Sequence, residues 1–132
     1  MRHLTDYINP ILRKTPNILI IHGGTNDITN DVDTGKNYDK IISTIKKKHP
    51  KTKIVISNVI CRFDKKEMTS KVRDLNERLK KIAEAHKIDM IDNSNISEKN
   101  LSNGKLHLNN GGSSILATNY IRYLNNPGNS NL

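Results

Sequence analysis

Two short segments of the chain carry residues whose types and spacing could do chemistry. The first is HGGTND, residues 22–27, which directly follows the apolar run of residues 17–21. Its glycines permit a tight turn, and the side-chain amide of Asn26 is an uncharged N–H donor that suits a developing oxyanion. Asp27 is expected to accept backbone N–H bonds and hold the turn. Alone, the segment also fits an ordinary Gly/Asn/Asp turn, and it lacks the Gly-Lys-Ser/Thr ending of a phosphate-binding loop.

The second segment is LHLNNGG, residues 106–112, which precedes the last amphipathic stretch of the chain. His107 is the one of the five histidines that lies between leucines at a loop-to-helix junction. Asn109 or Asn110 is expected to cap the following helix at its N-terminus. A lone histidine more often has a structural role than a catalytic one, so this segment by itself specifies no reaction.

The elements that must position these two segments alternate between helices and strands. Apolar spacing of three and four predicts helices over about residues 3–14, 37–49, 67–87 and 111–124. Continuous or β-branched apolar runs predict strands at 17–22, 53–57 and 88–91, and the stretches 23–36 and 92–106 are expected to be polar loops. The last helix is expected to bury a stripe formed by Ile115, Leu116, Tyr120, Ile121 and Leu124. This alternation predicts a parallel α/β sheet with right-handed crossovers, whose working residues lie in loops at the carboxyl ends of the strands.

Composition and length favour one domain with a modest core, over residues 1–124, followed by a disordered tail at 125–132. No apolar run approaches the roughly 20 residues of a membrane span, and the first ten residues do not resemble a signal peptide. The single cysteine, Cys61, excludes an internal disulfide and argues against a zinc cluster. We therefore expect no membrane partner and an intracellular, cytoplasmic setting.

A formal net charge of +9 could indicate a polyanionic partner such as nucleic acid. Most of the excess charge lies in segments predicted to be helices or helix ends, where lysines can simply solvate an outer face. Aromatic residues interleaved with the basic ones, as a base-stacking platform requires, are missing from the sequence. Weak nucleic-acid binding through a basic surface therefore stays open as an alternative.

Taken together, the two segments and the alternating elements between them closely resemble the SGNH (GDSL-like) hydrolases. Gly24, Thr25, Asn26 and Asp27 match the G-x-N-D block of that family, whose asparagine donates to the oxyanion. The closing block, usually written DGLHLN, places His107 at the position of the general base. The resemblance covers about residues 4–124 and is strongest to the esterase-like domains of mobile-element and other invertebrate proteins. It implies a three-layer, flavodoxin-like fold, with helices on both faces of a parallel sheet, no metal or organic cofactor, and a small-molecule ester substrate.

The chain departs from the family pattern at two functional positions. The opening block of the family, a strand that ends in Gly-Asp-Ser, has no counterpart in the 132 residues. Ser57, within or just after the second predicted strand, is the nearest stand-in, but the family has no nucleophile there. At the position of the family aspartate, three residues before His107, the chain has Gly104. Nucleophilic catalysis by these residues alone therefore lacks its serine and the carboxylate that orients the imidazole.

The resemblance also implies that the first two strands of the family sheet are missing, which would make the strand at residues 18–22 an edge. An exposed apolar edge tends to self-associate, so we expect a fragment of a longer protein or pairing with another chain. The leading hypothesis is an SGNH-type serine ester hydrolase domain that is incomplete and inactive as this chain. The alternative is a non-catalytic module of the same fold that binds nucleic acid or a protein partner through its basic surface.

Overall fold

The computed structural model describes residues 17–23 and 31–126. In chain order the elements are β1 (Ile18–His22), α1 (Asp31–Lys48), β2 (Lys53–Ser57), α2 (Lys66–His86), β3 (Asp89–Ile91), a 3-10 turn (Glu98–Asn100) and α3 (Asn110–Asn125). The helix predicted over 3–14 and the tail beyond residue 126 lie outside the described residues. The remaining predicted strands and helices are found within about two residues of their expected bounds, except at the start of α1.

The three strands form a parallel sheet in the order β1-β2-β3. Helices α1 and α2 cover one face, and α3 covers the other, so the predicted three-layer α/β architecture is confirmed. Because both crossovers are helical and all strands point the same way, every strand ends at one edge of the sheet. We call this the carboxyl edge and the opposite one the amino edge. Within the described residues β1 is paired only with β2, and self-association through its other side stays a prediction.

Alternation along the strands divides the core into two layers. Beneath α1 and α2 lie apolar side chains that are almost fully buried: Leu19, Ile21, Ile42, Ile45, Ile54, Ile56, Val72, Leu75, Leu79 and Met90. The other face is smaller, with Val55, Ile91 and Tyr123 buried and Ile18, Ile20 and Tyr120 half-buried against them. No helix within the described residues has the length and the apolar character that crossing a bilayer demands.

Helix α1 begins at Asp31, whereas a polar loop up to residue 36 was predicted. The stretch DVDTGK has no apolar periodicity, so the sequence gives no helical signal there. The packing of Gly35 supplies the reason for the difference. A Cβ at this position would lie 2.4 Å from Cδ of Arg78, so the start of α1 packs closely against side chains of α2. Residues 31–36 are thus helical, despite their poor helix propensity, where the chain packs against α2.

The predicted apolar stripe of α3 is wrong in its last turns. Ile121 and Leu124 are 58% and 46% exposed, while Asn119 and Tyr123 are buried. The buried pair makes polar contacts that fix the rotation of the helix: the hydroxyl of Tyr123 donates to Oδ2 of Asp89 at 2.7 Å. Polar residues that bind partners beneath the helix therefore decided which face is buried, and a hydrophobicity pattern does not contain that information.

Candidate active site at the carboxyl edge

The last residues of the three strands lie side by side at the carboxyl edge. The parallel register aligns His22 of β1 with Ser57 of β2, and Ser57 with Ile91 of β3. The segments that follow these residues therefore leave the sheet next to one another. This is the edge at which open parallel sheets bind ligands, because the strand-end loops form a crevice there.

A fully buried serine is the common hydrogen-bond partner of three side chains at this edge. Nδ1 of His22 lies 2.9 Å from Oγ of Ser57, and the hydroxyl of Tyr120 on α3 donates to the same oxygen at 2.9 Å. Nδ2 of Asn93, just beyond β3, donates to it at 2.8 Å. Two donors fill the two lone pairs of a hydroxyl oxygen, so its single proton is directed at His22. The imidazole then accepts at Nδ1 and carries its own proton on Nε2.

The electrostatics of the cluster agree with this assignment of protons. Burial lowers the pKa of His22, and an interaction with the backbone of Ser57 offsets only part of that effect. Burial also raises the pKa of Tyr120, against a smaller opposing effect of its hydrogen bond to Ser57. At neutral pH the imidazole is therefore an uncharged acceptor and the phenol an uncharged donor.

The Ser57–His22 pair has the spacing of a nucleophile and its base, but its surroundings give it a structural role. The side chain of Ser57 is 0% exposed, and both of its lone pairs are occupied. A carbonyl carbon cannot reach that oxygen without breaking the cluster. What the pair does is fix the last residue of β1, directly before Gly23.

A network of asparagines extends this cluster beneath α3. The backbone N–H of Asn93 donates to Oδ1 of Asn58 at 2.9 Å, and Nδ2 of Asn119 donates to Oδ1 of Asn93 at 3.1 Å. The side-chain amides of Asn95 and Asn119 bond each other reciprocally at 2.9 Å. The network ties the exits of β2 and β3 to α3. Sequence reasoning missed these residues, and the only available signal was that Asn58 and Asn93 follow predicted strands.

The entrance to the first motif passes directly over a buried tyrosine. A Cβ on Gly23 would lie 2.3 Å from the hydroxyl oxygen of Tyr38, so only glycine permits this approach of β1 to α1. Burial raises the pKa of Tyr38 to about 12, which keeps the phenol protonated. The predicted oxyanion residue Asn26 and its neighbours Gly24, Thr25 and Asp27 lie outside the described residues.

The second motif is held by its backbone, while its imidazole faces solvent. Leu101 and Leu108 form an antiparallel bridge, and the carbonyl oxygen of His107 accepts from the N–H of Ser102 at 2.7 Å. The His107 side chain is exposed at the carboxyl edge, just before α3. Gly104 lies in the turn of this hairpin, and a Cβ there would meet nothing within 4 Å.

Asn109 fastens the same hairpin to the helix. Its Oδ1 accepts from the N–H of Gly112 at 2.9 Å, which confirms one of the two predicted caps. Its Nδ2 donates to the carbonyl oxygens of Lys99 at 2.9 Å and of Leu101 at 3.2 Å. Asn109 thus fixes the position of His107 as well as the start of α3. Within the described part of the chain, no group of His, Cys, Asp and Glu side chains could hold a metal ion.

The family model of GDSL-like lipases and acylhydrolases matches residues 2–115 of the chain. No curated protein sequence matches the chain. Among solved structures, a GDSL-like lipase from Bacteroides thetaiotaomicron is similar with a TM-score of 0.76 and 17% identity, over 92% of this chain and 68% of that one. A lipase/acylhydrolase from Enterococcus faecalis gives a TM-score of 0.77 and 16% identity, over 92% and 67%.

Axe2, an acetylxylan esterase from Geobacillus stearothermophilus, is similar with a TM-score of 0.74 and 15% identity, over 89% of this chain and 64% of that one. At these identities the likeness shows the fold alone. The chain spans about two thirds of the length of these structures.

Proposed function

The chain belongs to the GDSL-like lipase/acylhydrolase family, and on that premise we propose that it supplies the oxyanion donor and the general base of an ester or acyl hydrolase. Asn26 donates its side-chain N–H to the oxyanion, and His107 takes the proton of the attacking serine and returns it to the leaving group. Gly24, Thr25 and Asp27 shape the oxyanion loop. The reaction needs no metal or organic cofactor.

One observation carries this proposal: a single buried oxygen joins the end of β1, which precedes the first motif, to the helix that follows the second motif. Oγ of Ser57 contacts His22, four residues before Asn26, and Tyr120, on the helix that follows His107. The two contacts hold the exit of β1 and helix α3 at the same strand-end edge. Polar groups that act on one carbonyl must be held in a fixed mutual geometry, and a rigid support of this kind provides it.

The nucleophile is proposed to come from a segment outside these 132 residues. They contain no Gly-Asp-Ser sequence, and the one buried serine at the carboxyl edge is blocked by its own hydrogen bonds. The exposed imidazole of His107 is open to an incoming hydroxyl group. Because Gly104 brings no carboxylate to the base, the active unit is a Ser-His dyad, which is expected to be slower than a full triad.

Hydrolysis of p-nitrophenyl acetate tests the proposal, and an acetyl ester suits the likeness to an acetylxylan esterase. The assay compares this chain with a version extended at its amino end by a strand that ends in Gly-Asp-Ser. We expect turnover above background only from the extended protein. In it, Asn26→Ala should lower kcat about 10²–10³-fold and His107→Ala about 10²–10⁴-fold.

His49→Ala is the matched control, because His49 lies at the amino edge, between α1 and β2. It should leave kcat within about twofold of the unaltered extended protein, because His49 lies at the edge of the sheet opposite the proposed catalytic residues. An inactive extended protein, or one in which His107→Ala and His49→Ala behave alike, contradicts the assignment of the base.

A further inference from the structure

The amino edge of the sheet, opposite the candidate active site, gathers the ends of two helices. Helix α1 ends at Lys48 and β2 begins at Lys53, while α2 ends at His86 and β3 begins at Asp89. Both helices run antiparallel to the strands, so their C-termini and the two following turns lie at this one end of the domain. The ends are in contact, since Nζ of Lys46 donates to the carbonyl oxygen of His86.

Lysines dominate the surface that these ends form. Residues 46–53 contain five lysines and no acidic residue. The C-terminal part of α2 and the turn after it add three more. We call the eight residues the basic end: Lys46, Lys47, Lys48, Lys51, Lys53, Lys80, Lys81 and Lys87. All except Lys53 are exposed. Like charges held this close raise the local positive potential well above that of an isolated lysine.

Few of these charges are neutralised within the domain. Lys53 pairs with Asp89 at 3.4 Å, and Lys46 is bonded to a backbone carbonyl. Across the described residues the other six take part in no ion pair. A second acidic contact at this end joins Nε2 of His86 to Oδ1 of Asp39 at 2.6 Å. The excess positive charge is therefore available to a partner.

Stabilisation of helix C-termini does not account for the whole basic end. The helix dipole favours cations in the last turn, which covers residues 46–48. Lys51 lies in the turn beyond α1, and Lys80 and Lys81 precede the last turn of α2, so the helix dipole does not explain these three. At the carboxyl edge, by contrast, acidic residues lie among the basic ones, and Arg62 pairs with Asp64 at 2.7 Å. The asymmetry is thus a property of one end of the molecule.

We propose that the basic end binds the phosphate backbone of nucleic acid. A repeating line of phosphates matches two neighbouring lysine-rich helix ends, and binding would release counterions from the backbone. The ring of Tyr123 lies 5.7 Å from Nζ of Lys53, but Tyr123 is buried and cannot stack on a base, so recognition is independent of sequence. An anionic membrane fits less well. Stable adsorption needs an apolar anchor besides the charges, and the exposed Ile121 and Leu124, in the last turns of α3, lie on the opposite face of the sheet from the ends of α1 and α2.

Fluorescence anisotropy with a short labelled duplex of mixed sequence, read between about 50 and 200 mM salt, tests the proposal on the full chain. The variant K47E/K48E/K51E removes three exposed lysines of the basic end. We expect at least a tenfold loss of affinity at about 50 mM salt and a salt slope that is shallower by about three, since each phosphate contact contributes about 0.9 to it.

The matched control is K65E/K66E/K71E, which changes the net charge equally at the opposite end, around the N-terminus of α2. It should lose less than about threefold in affinity. Equal losses in the two variants would show that only net charge matters and would overturn the assignment of the site. The same holds if no duplex binds at low salt.

Two further arms complete the design. Vesicles of phosphatidylcholine with and without phosphatidylserine test the membrane alternative, and retention on the anionic vesicles without duplex binding would refute the proposal. If K47E/K48E/K51E fails to fold by circular dichroism, K80E/K81E on α2 replaces it, and unchanged affinity in that variant would count against the basic end. Neither variant touches the residues proposed for hydrolysis, so this test is independent of the catalytic one.

Discussion

Replacing Ser57 by alanine removes the one oxygen on which three side chains converge. The hydrogen bonds to His22, Asn93 and Tyr120 are all lost, at distances between 2.8 and 2.9 Å. The methyl group that remains fits the space, so sterics contribute little. The cost of the substitution therefore measures the cluster itself and not a change in packing.

The magnitude follows from what each partner can do afterwards. Nδ2 of Asn93 keeps its second acceptor, the carbonyl oxygen of Asn58 at 2.9 Å, but one buried N–H is left without a partner. His22 and Tyr120 are half-buried and can recover part of their loss with water. With about 0.5–1.5 kcal/mol for each hydrogen bond, we expect Ser57→Ala to lower the free energy of unfolding by about 2–3 kcal/mol.

Urea denaturation followed by far-ultraviolet circular dichroism measures this change, and a double-mutant cycle isolates one contact. Tyr120→Phe alone should cost about 0.5–1.5 kcal/mol, because only its hydroxyl is removed. In the Ser57→Ala background the same change should cost almost nothing, which gives a coupling energy near 1 kcal/mol. Ser70→Ala, an exposed serine on α2, is the control and should stay within about 0.5 kcal/mol.

Two results would refute the reasoning. A loss below about 0.5 kcal/mol for Ser57→Ala would mean that the three contacts do not hold the strand ends together. A Tyr120→Phe cost that is the same in both backgrounds would mean that the phenol does not act through Ser57. Either result would also remove the rigid support on which the proposed geometry of the active site depends.

Three further changes test neighbouring parts of the site. The folded state holds His22 with a lowered pKa, so below about pH 6.5 the unfolded state takes up the proton first. As the pH decreases, the free energy of unfolding should therefore decrease by up to about 1.4 kcal/mol per pH unit. Urea melts of His22→Asn over the same pH range should lack this decrease. Gly112→Ala should destabilise the protein by about 1–3 kcal/mol because the new Cβ would lie 2.3 Å from a backbone oxygen, whereas Gly111→Ala, with its nearest atom at 3.4 Å, should be neutral or stabilising in thermal melts. Asn109→Ala should cost about 1–2 kcal/mol through the lost helix cap, and a similar cost for the exposed Asn110→Ala would contradict the assignment of the cap.

Most strands and helices were predictable because the sequence signals for them, apolar runs and helix caps, involve only neighbouring residues. The apolar run before Gly23 predicted a buried strand, and the structure has β1 at Ile18–His22. Asn109 was one of two predicted caps, and its side chain accepts from Gly112. The start of α1 was not predictable, since its helical form accompanies close packing of Gly35 against Arg78.

The sequence by itself determined the alternation of strands and helices and the positions of the two motifs at element boundaries. Both follow from the period of apolar residues and from turn and cap chemistry, which act over a few neighbouring residues. Only the tertiary structure decided that His22, Asn93 and Tyr120 share one oxygen of Ser57, across 35 to 63 residues of chain. It also decided that lysines from two helix ends form one surface. Polar groups and charges carry no periodic signal, so their convergence depends on how the strands align and how the helices rotate against them.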